Sequence, residues 1–362
     1  MPLTGNKGEW SEIYAMFKLL GEGIVYAGDQ NLNKIKDLFY PIIMILRQEK
    51  EEHFNYKLED KNVVIQTADG KELLRLAASD FLTEAEELLK AINSGKNAFS
   101  VPRAEKFMNR IYCQSLKAKS TDKTDIRIIL HDRRTKINSE IGFSIKSQLG
   151  ADSTLLNAGK TTNFNFKIEN VFLSDKEISE INSINSPHDK IIKRVEAIKR
   201  KGGILVFDKV DNETFDNNLT LLDRDLSSIL ANLLLEQLES GVSSLNELVA
   251  ILNRKNPLGY NLSSSTPFYE YKIKHFLTSA ALGMTPGAVW NGKFDANGGY
   301  LVVKSDGDIL CYHFYDRNRF EDFLFFNAYL ERASMNRHQY ASVIREADGS
   351  LSFKLNLQIR LK

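Results

Sequence analysis

The chain is poor in the residues and segments that cross-link, anchor or export a protein. Its 362 residues include two cysteines, Cys113 and Cys311, which are too few for a disulfide framework and are expected to be small buried hydrophobes. No apolar run approaches the roughly 20 residues that span a bilayer. The first five residues, MPLTG, lack the basic and apolar regions of a signal peptide. We therefore expect a cytoplasmic protein.

An excess of charge of one sign is also lacking, because 48 basic residues stand against 47 acidic ones and the net charge is +1. A nucleic-acid partner would then require positive charge gathered on one face. The most basic segment, residues 190–201, predicts an amphipathic helix whose outer face carries Lys193 and Arg194. A solvated surface helix is one interpretation. In a DNA-binding protein these two side chains would instead contact phosphates without reading sequence.

Hydrophobic periodicity predicts a mixed α/β protein without internal repeats or low-complexity tracts. Helices are expected at about 9–21, 30–48, 82–93, 103–117, 189–201, 218–239, 244–253, 267–282 and 318–332. Strands are expected at about 62–67, 73–77, 125–131, 141–147, 164–171, 203–209, 300–304, 308–315, 340–346 and 351–361.

One predicted hairpin carries residues suited to phosphate chemistry. Asp125 opens its first strand, and the second strand carries Ser144 and Lys146 between apolar residues. A turn centred near residues 135–136 would place Asp125 opposite Lys146, with Cβ atoms about 5 Å apart. Such an acid can hold a divalent cation, while the lysine polarises a water or stabilises charge at a phosphate. A surface hairpin with ordinary charges is the alternative.

The first predicted helix holds a second acid in an unusual place. Glu12 lies on the same side as Met16, Leu19 and Leu20, in a helix that is apolar almost all round. A carboxylate there is costly unless a cation or hydrogen-bond donors meet it. The alternative is a first-turn acid favoured by the helix dipole, and that role suits Glu9 better. Glu12 is therefore the stronger candidate for a metal site.

Together these residues resemble a known superfamily. Gly8-x-x-x-Glu12, Asp125 and Ser144-x-Lys146 are similar to the PD-(D/E)xK nuclease motif, whose usual third acid stands where this chain has Ser144. In some restriction endonucleases that cut CCGG-containing sites, a glutamate from a nearby helix replaces that acid. No glutamate occurs between Lys146 and Glu169. Glu12, or else Glu140, would therefore have to supply the carboxylate.

Whole segments narrow the resemblance to the HpaII family of type II restriction endonucleases. The similar segments are residues 6–12, 142–150, 154–164, 305–313 and 354–360. The resemblance implies Mg²⁺-dependent hydrolysis of duplex DNA at CCGG, with cutting after the first C, in the bacterial cytoplasm. It also implies a homodimer on the palindromic site. A DNA methyltransferase would be the genetic partner, without a stable complex.

The resemblance assigns roles within the site and along the chain. Asp125 and Glu12, aided by the Ile145 carbonyl, would hold Mg²⁺, and Lys146 would act on the attacking water or the transition state. Ser144 would be a hydrogen-bonding replacement for a carboxylate and not a nucleophile. We expect a restriction-endonuclease-like core with a central mixed sheet flanked by helices in residues 1–172. A DNA-recognition α+β region would follow in residues 173–362, although both could form one compact unit.

Two polar segments have the side chains that read bases in the major groove. Each could instead be an ordinary connecting loop. The first comes shortly after the strand with Lys146, and the second separates a predicted helix from the last strands. The candidate residues are Asn157, Lys160, Thr161, Thr162 and Asn163 in the first, and Arg337, His338 and Gln339 in the second.

Three other functions fit some of the same sequence features. A structure- or damage-specific nuclease would share the metal chemistry but would not cut at a fixed tetranucleotide. A non-catalytic DNA-binding protein could retain the hairpin and bind DNA without cleaving it. A serine hydrolase is disfavoured because the chain contains no Gly-x-Ser-x-Gly.

Overall fold

A computed structural model describes residues 2–49, 52–117, 124–133, 136–186, 189–294, 296–332 and 340–362. The predicted recognition residues Arg337, His338 and Gln339 lie outside the described residues. Within the described ranges the protein is mixed α/β, as predicted. No helix in these ranges is long and apolar enough to cross a membrane.

Helices and strands alternate along the chain in irregular groups. The helices are α1 (Lys7–Glu22), α2 (Ala78–Ser94), α3 (Pro102–Arg110), α4 (Asp175–Ser183), α5 (Lys190–Arg200), α6 (Glu213–Leu222), α7 (Leu226–Ser240), α8 (Leu245–Lys255), α9 (Phe268–Leu282) and α10 (Arg317–Asn327). The first strands are β1 (Ile24–Gly28), β2 (Lys34–Glu49), β3 (Glu52–Glu59), β4 (Asn62–Thr67), β5 (Glu72–Ala77), β6 (Ile126–Asp132), β7 (Ile137–Ser147) and β8 (Ser153–Leu156). The later strands are β9 (Asn163–Glu169), β10 (Ile204–Val210), β11 (Gly299–Val303), β12 (Ile309–His313), β13 (Ala328–Leu330), β14 (Val343–Arg345), β15 (Leu351–Asn356) and β16 (Ile359–Leu361).

The helix predicted at 30–48 is wrong, because these residues form the long strand β2. Its sequence contains Pro41, which removes a helical hydrogen bond and clashes with the preceding turn. Burial in the second half of β2 alternates between neighbouring residues, as it does in a strand. The helix predicted at 218–239 is also wrong in part. It is divided into α6 and α7 at Asp223, whose backbone is extended.

The largest sheet has the strand order β1-β12-β11-β7-β6-β2-β3-β4-β5. Because β1 also pairs with β2, the first six strands in this order close into a ring, which the sequence analysis did not anticipate. The β11–β7 and β1–β12 pairings are parallel. Helix α1 shares one buried core with these strands, including Trp10, Phe17, Ile128 and Phe143. The predicted burial of this helix is thereby confirmed.

The chain divides into two compact units. The first comprises residues 1–153 and 294–323, and the second comprises 154–293 and 324–362. In the second unit, one sheet has the order β10-β9-β15-β14 and a smaller one the order β13-β16-β8. The observed division differs from a single boundary at 172/173, because residues 294–323 return to the first unit. That return supplies β11 and β12 to the nine-stranded sheet.

The junction where β11 joins β7 requires glycine. Gly299 has φ +94°, and a Cβ there would lie 2.2 Å from the carbonyl oxygen of Tyr312 on β12. We expect Gly299→Ala to lower the free energy of unfolding by about 3 kcal/mol or more, because the backbone must shift. Gly349→Ala is the matched control, since its φ is +84° but its surroundings are open. The control should cost about 1 kcal/mol, and equal losses in denaturant unfolding would refute the steric argument.

Candidate functional site

The β6–β7 hairpin places Asp125 and Lys146 on one face, although not directly opposite each other. Ile126 pairs with Phe143, so Asp125 stands across from Ser144. The predicted opposition of Asp125 and Lys146 is therefore wrong. The turn is shorter than predicted, because β7 begins at Ile137 and not at about 141. The partner of Asp125 is therefore Ser144 and not residue 146. The resulting shift is an even number of residues, so it moves no side chain to the other face.

Asp125 is held by the strand that faces it. Its Oδ2 accepts hydrogen bonds from the Ser144 hydroxyl at 2.9 Å and from the Ile145 amide at 2.7 Å. Its own amide donates to the Phe143 carbonyl at 2.9 Å. These bonds fix the carboxylate at the beginning of β6. They occupy Oδ2, whereas Oδ1 accepts no hydrogen bond from the described residues, which leaves it available to a ligand.

Lys146 lies over an aromatic ring that comes from a distant part of the chain. Its Nζ is 4.7 Å from the ring centre of Tyr300 on β11. Tyr300 pairs with Ser144 in the β7–β11 ladder and is 1% exposed. Burial, and then the negative charge of Asp125, raise the pKa of the Tyr300 phenol well above its ordinary value. Tyr300 had no signal in the sequence, because only the β11–β7 pairing brings it to the hairpin.

Glu12 approaches the same region from α1. The helix begins with a capping box in which Asn6 and Glu9 each bond the other's backbone amide. The buried Ser11 hydroxyl lies 2.8 Å from that of Ser147, at the end of β7. Burial, and then the charge of Asp125, raise the pKa of Glu12 to about 8. The negative charge of Asp125 therefore acts on Glu12, which links the two sequence motifs.

Two cations near these acids had no signal in the sequence. Lys117 Nζ is 3.1 Å from Glu9 Oε1, and the positive charge of Lys117 lowers the pKa of Glu12. Arg47 acts on Glu12 in the same direction and is itself buried in an ion pair with Glu49. Arg47 belongs to β2, the strand mistaken for a helix. The sequence therefore offered no reason to place it near Asp125.

The residues present suit a hard divalent cation. No group of three or more His, Cys, Asp or Glu side chains in the described ranges has the spacing of a metal site. Mg²⁺ nevertheless binds through one or two carboxylates and retains several waters. Asp125 and Glu12 supply such oxygens, and Glu12 forms no hydrogen bond or ion pair with described residues. Glu140 is less suited, because it is exposed and paired with Arg127 at 3.3 Å.

Open clefts give access to both carboxylates. One of about 680 Å³ is lined by Glu12, Ile145 and Ser147, together with Lys7 and Lys96. Another of about 410 Å³ is lined by Asp125 and by polar residues of β2, β3 and β6. Lys7 and Lys96 bring positive charge to the cleft that Glu12 lines. Each carboxylate is therefore reached from its own open cleft.

The segment 157–163, predicted to contact bases, is divided by burial. Asn157 and Lys160 are exposed, and Thr161 is half-buried. Thr162 is fully buried, and its hydroxyl bonds both the amide and the carbonyl of Gly159. Asn163 is also buried and accepts a hydrogen bond from the Asn356 side chain. These last two side chains are therefore used to hold this segment in place.

The predicted basic helix exists as α5, but its two neighbouring candidates for phosphate contact, Lys193 and Arg194, differ in burial. Lys193 is exposed and donates to the Ser186 hydroxyl at 3.1 Å. Arg194 is 4% exposed, and its guanidinium donates to the backbone carbonyls of three residues. These are the carbonyls of Asn182, Ile184 and Ala341. Because its donors are used internally, the placement of Arg194 does not agree with the predicted phosphate contact.

The raised pKa of Glu12 predicts a pH dependence of stability in metal-free buffer. Between pH 4.5 and about 8 the folded state keeps the Glu12 proton that the unfolded state has lost. Stability therefore falls as pH rises through this window. Glu12→Gln removes the penalty, so its melting temperature should exceed that of wild type by a few degrees at pH 8.5 and match it near pH 4.5.

Glu9 supplies a matched control in the same helix turn. The pKa of Glu9 is lowered, chiefly by its hydrogen bond to the Asn6 backbone. Its contribution to stability is present above the unfolded pKa and is lost as pH falls. Glu9→Gln should therefore lower the melting temperature at pH 8.5. Shifts of the same sign in both variants would refute the assignment for Glu12.

Comparison with known proteins agrees with the resemblance seen in the sequence. The profile of the HpaII restriction endonuclease family matches residues 6–361. Over 359 residues the chain is 45% identical to the type II restriction enzyme HpaII of Haemophilus parainfluenzae. The alignment covers 99% of this chain and 98% of that enzyme. No solved structure matches the chain. The chain therefore belongs to the HpaII restriction endonuclease family.

Proposed function

We propose that this restriction endonuclease hydrolyses duplex DNA at CCGG in a Mg²⁺-dependent reaction at Asp125, Glu12 and Lys146. Its class, a type II site-specific deoxyribonuclease acting on double-stranded DNA, follows from its family. The observation that carries the site assignment is the placement of Asp125, whose Oδ2 is held by the Ser144 hydroxyl and the Ile145 amide, at the end of the hairpin that also carries Lys146. The negative charge of Asp125 also acts on Glu12. Lys146 lies on the same face of the hairpin as Asp125.

The two carboxylates would hold the cation. Asp125 contributes Oδ1, which accepts no hydrogen bond from the described residues, and Glu12 contributes a carboxylate that forms no ion pair with them. The Ile145 carbonyl completes the proposed protein ligands. When bound, Mg²⁺ supplies a Lewis acid at the scissile phosphate. Glu12 thereby fills the role of the acid that Ser144 does not provide.

Lys146 and Ser144 would orient the reacting groups and balance their charge. Lys146 orients or deprotonates the attacking water, or neutralises the charge that develops on the phosphate. Ser144 donates its hydrogen bond to Asp125, which keeps that carboxylate in the orientation in which it would hold the cation. Because the hydroxyl is used in this way, Ser144 is better suited to hold Asp125 in place than to act as a nucleophile.

The other assignments extend the same proposal. The first unit would carry a PD-(D/E)xK-like core, and the second would carry most of the recognition surface. Asn157, Lys160 and Thr161 remain candidates for DNA contacts, as do Lys193 and the three residues Arg337, His338 and Gln339. A palindromic target favours a symmetric homodimer. A cytoplasmic location with a cognate methyltransferase as genetic partner fits a restriction enzyme.

Digestion of plasmid DNA with Mg²⁺, followed by sequencing of the cut ends, tests the function. Wild type should yield discrete fragments whose ends map to CCGG, and EDTA should abolish cutting. Asp125→Asn and Lys146→Ala should each reduce cleavage by several orders of magnitude, because the first removes a charged ligand of the cation and the second removes a positive charge at the reacting phosphate. Both variants should retain DNA binding in Ca²⁺.

Lys136→Ala is the control for Lys146, since Lys136 is exposed at the other end of the same hairpin. It should cleave like wild type. Ends at other sequences would overturn CCGG, and smeared or branch-dependent products would indicate a structure-specific nuclease. Full cleavage by Asp125→Asn or Lys146→Ala would overturn the site.

Replacing Lys193 and replacing Arg194 should affect different properties, because Lys193 is exposed and Arg194 is buried. Lys193→Ala should weaken DNA binding in Ca²⁺ and reduce the slope of log K against log [salt] by about one, because one phosphate contact is lost. Its melting temperature should not change. Arg194→Ala should instead lower the free energy of unfolding by about 2–4 kcal/mol, because three buried carbonyls lose their donor. Fluorescence anisotropy and thermal melting separate the two, and an unchanged salt slope in Lys193→Ala would exclude the contact.

A further inference from the structure

We propose that Tyr300 is a positioning residue that holds the ammonium group of Lys146 at the scissile phosphate. The inference rests on the proposed function, because it assumes that Lys146 acts in cleavage. The observation behind it is the approach of Lys146 Nζ to within 4.7 Å of the Tyr300 ring centre. This distance is within the roughly 6 Å range of a cation–π interaction.

The Tyr300 ring is itself immobilised. The residue is 1% exposed, and its ring packs edge to face on Phe320 of α10 at 5.4 Å, with an angle of 87° between the rings. The β11 backbone is bound on both sides, because it lies between β7 and β12. A ring held by a helix and by two neighbouring strands offers a fixed surface to the Lys146 side chain.

Lys146 needs such a surface more than a shorter residue would. A lysine side chain has four rotatable bonds, and ordering it costs up to about 2 kcal/mol of conformational entropy. Stacking on Tyr300 restricts the ammonium before DNA binds, so less of this cost falls on the chemical step. The aromatic face attracts the cation and leaves its positive charge in place.

The position of Tyr300 relative to the other site residues supports the same role. Its register partner on β7 is Ser144, the donor to Asp125. The charge of Asp125 also acts on the Tyr300 phenol. Tyr300 therefore lies beside the end of the hairpin that carries Asp125 and Lys146. The segment 294–323 thus contributes to the active site as well as to the sheet.

Tyr312 provides an unusually close control. It is the register partner of Tyr300 in the β11–β12 ladder and is also 1% exposed. Its ring stacks on Phe323 of α10, three residues beyond Phe320. Loss of either ring therefore removes a buried tyrosine from the same sheet face and from contact with the same helix. Of the two, Tyr300 is the one whose ring Lys146 Nζ approaches.

The test compares Tyr300→Leu, Tyr300→Phe and Tyr312→Leu in the full-length enzyme with a CCGG duplex and Mg²⁺. Tyr300→Leu should lower kcat about tenfold, which corresponds to about 1.4 kcal/mol, with KM and Ca²⁺-supported DNA affinity unchanged. Tyr300→Phe keeps the ring and should restore kcat to near the wild-type value. Tyr312→Leu should lower the melting temperature by about as much as Tyr300→Leu does, while its kcat stays within about twofold of wild type.

Three results would overturn the role of Tyr300. Equal kcat losses in Tyr300→Leu and Tyr312→Leu would overturn the proposal, because they would indicate a packing defect. A tenfold loss in Tyr300→Phe would also overturn it, because the hydroxyl and not the ring would then matter. If Tyr300→Leu does not fold, Tyr300→Met replaces it with a longer, flexible apolar side chain. Wild-type cleavage by Lys146→Ala would defeat the proposed site itself, whereas an inactive Lys146→Ala with fully active Tyr300→Leu would defeat only the role of Tyr300.

Discussion

The candidate site depends on the pairing of β7 with two strands at once. On one side, β6 brings Asp125 to Ser144 and Ile145, whose hydroxyl and amide fix the carboxylate. On the other side, the parallel strand β11 brings Tyr300 under Lys146. The same pairing closes six strands into a ring and completes the core around α1. Fold and site therefore share one set of backbone hydrogen bonds.

The energetics of the site oppose those of the fold. Glu12 is a carboxylate brought into a largely apolar helix face and placed near a second negative charge, and both effects disfavour its ionised form. A protein under no functional demand could place a neutral side chain there at no cost. Retaining the acid is understandable if a cation binds between the two carboxylates, because the metal then offsets the repulsion that burial intensifies. Ser144 fits this arrangement, since a third acid would increase the repulsion further.

Neighbouring residues of similar type take different roles because burial separates them. Lys193 and Arg194 are adjacent and basic, yet one is exposed and the other binds three carbonyls inside the second unit. Lys160 and Thr162 stand close in a polar loop, yet Thr162 is fully buried. Residue type and spacing describe what a side chain can bind. They do not state whether its polar atoms are already used by the protein.

The sequence by itself determined the family, the mixed α/β class, most helices and strands, and the candidates Glu12, Asp125 and Lys146. These conclusions rest on local periodicity, on a hairpin of neighbouring strands and on segment similarity, all of which are visible along the chain. Tertiary structure decided that 34–49 is a strand, that six strands close into a ring, and that Asp125 faces Ser144. It also decided that Tyr300, Lys117 and Arg47 lie near the acids. Such facts depend on pairings between distant segments and on which side chains lose contact with water, and neither is encoded in any short stretch of residues.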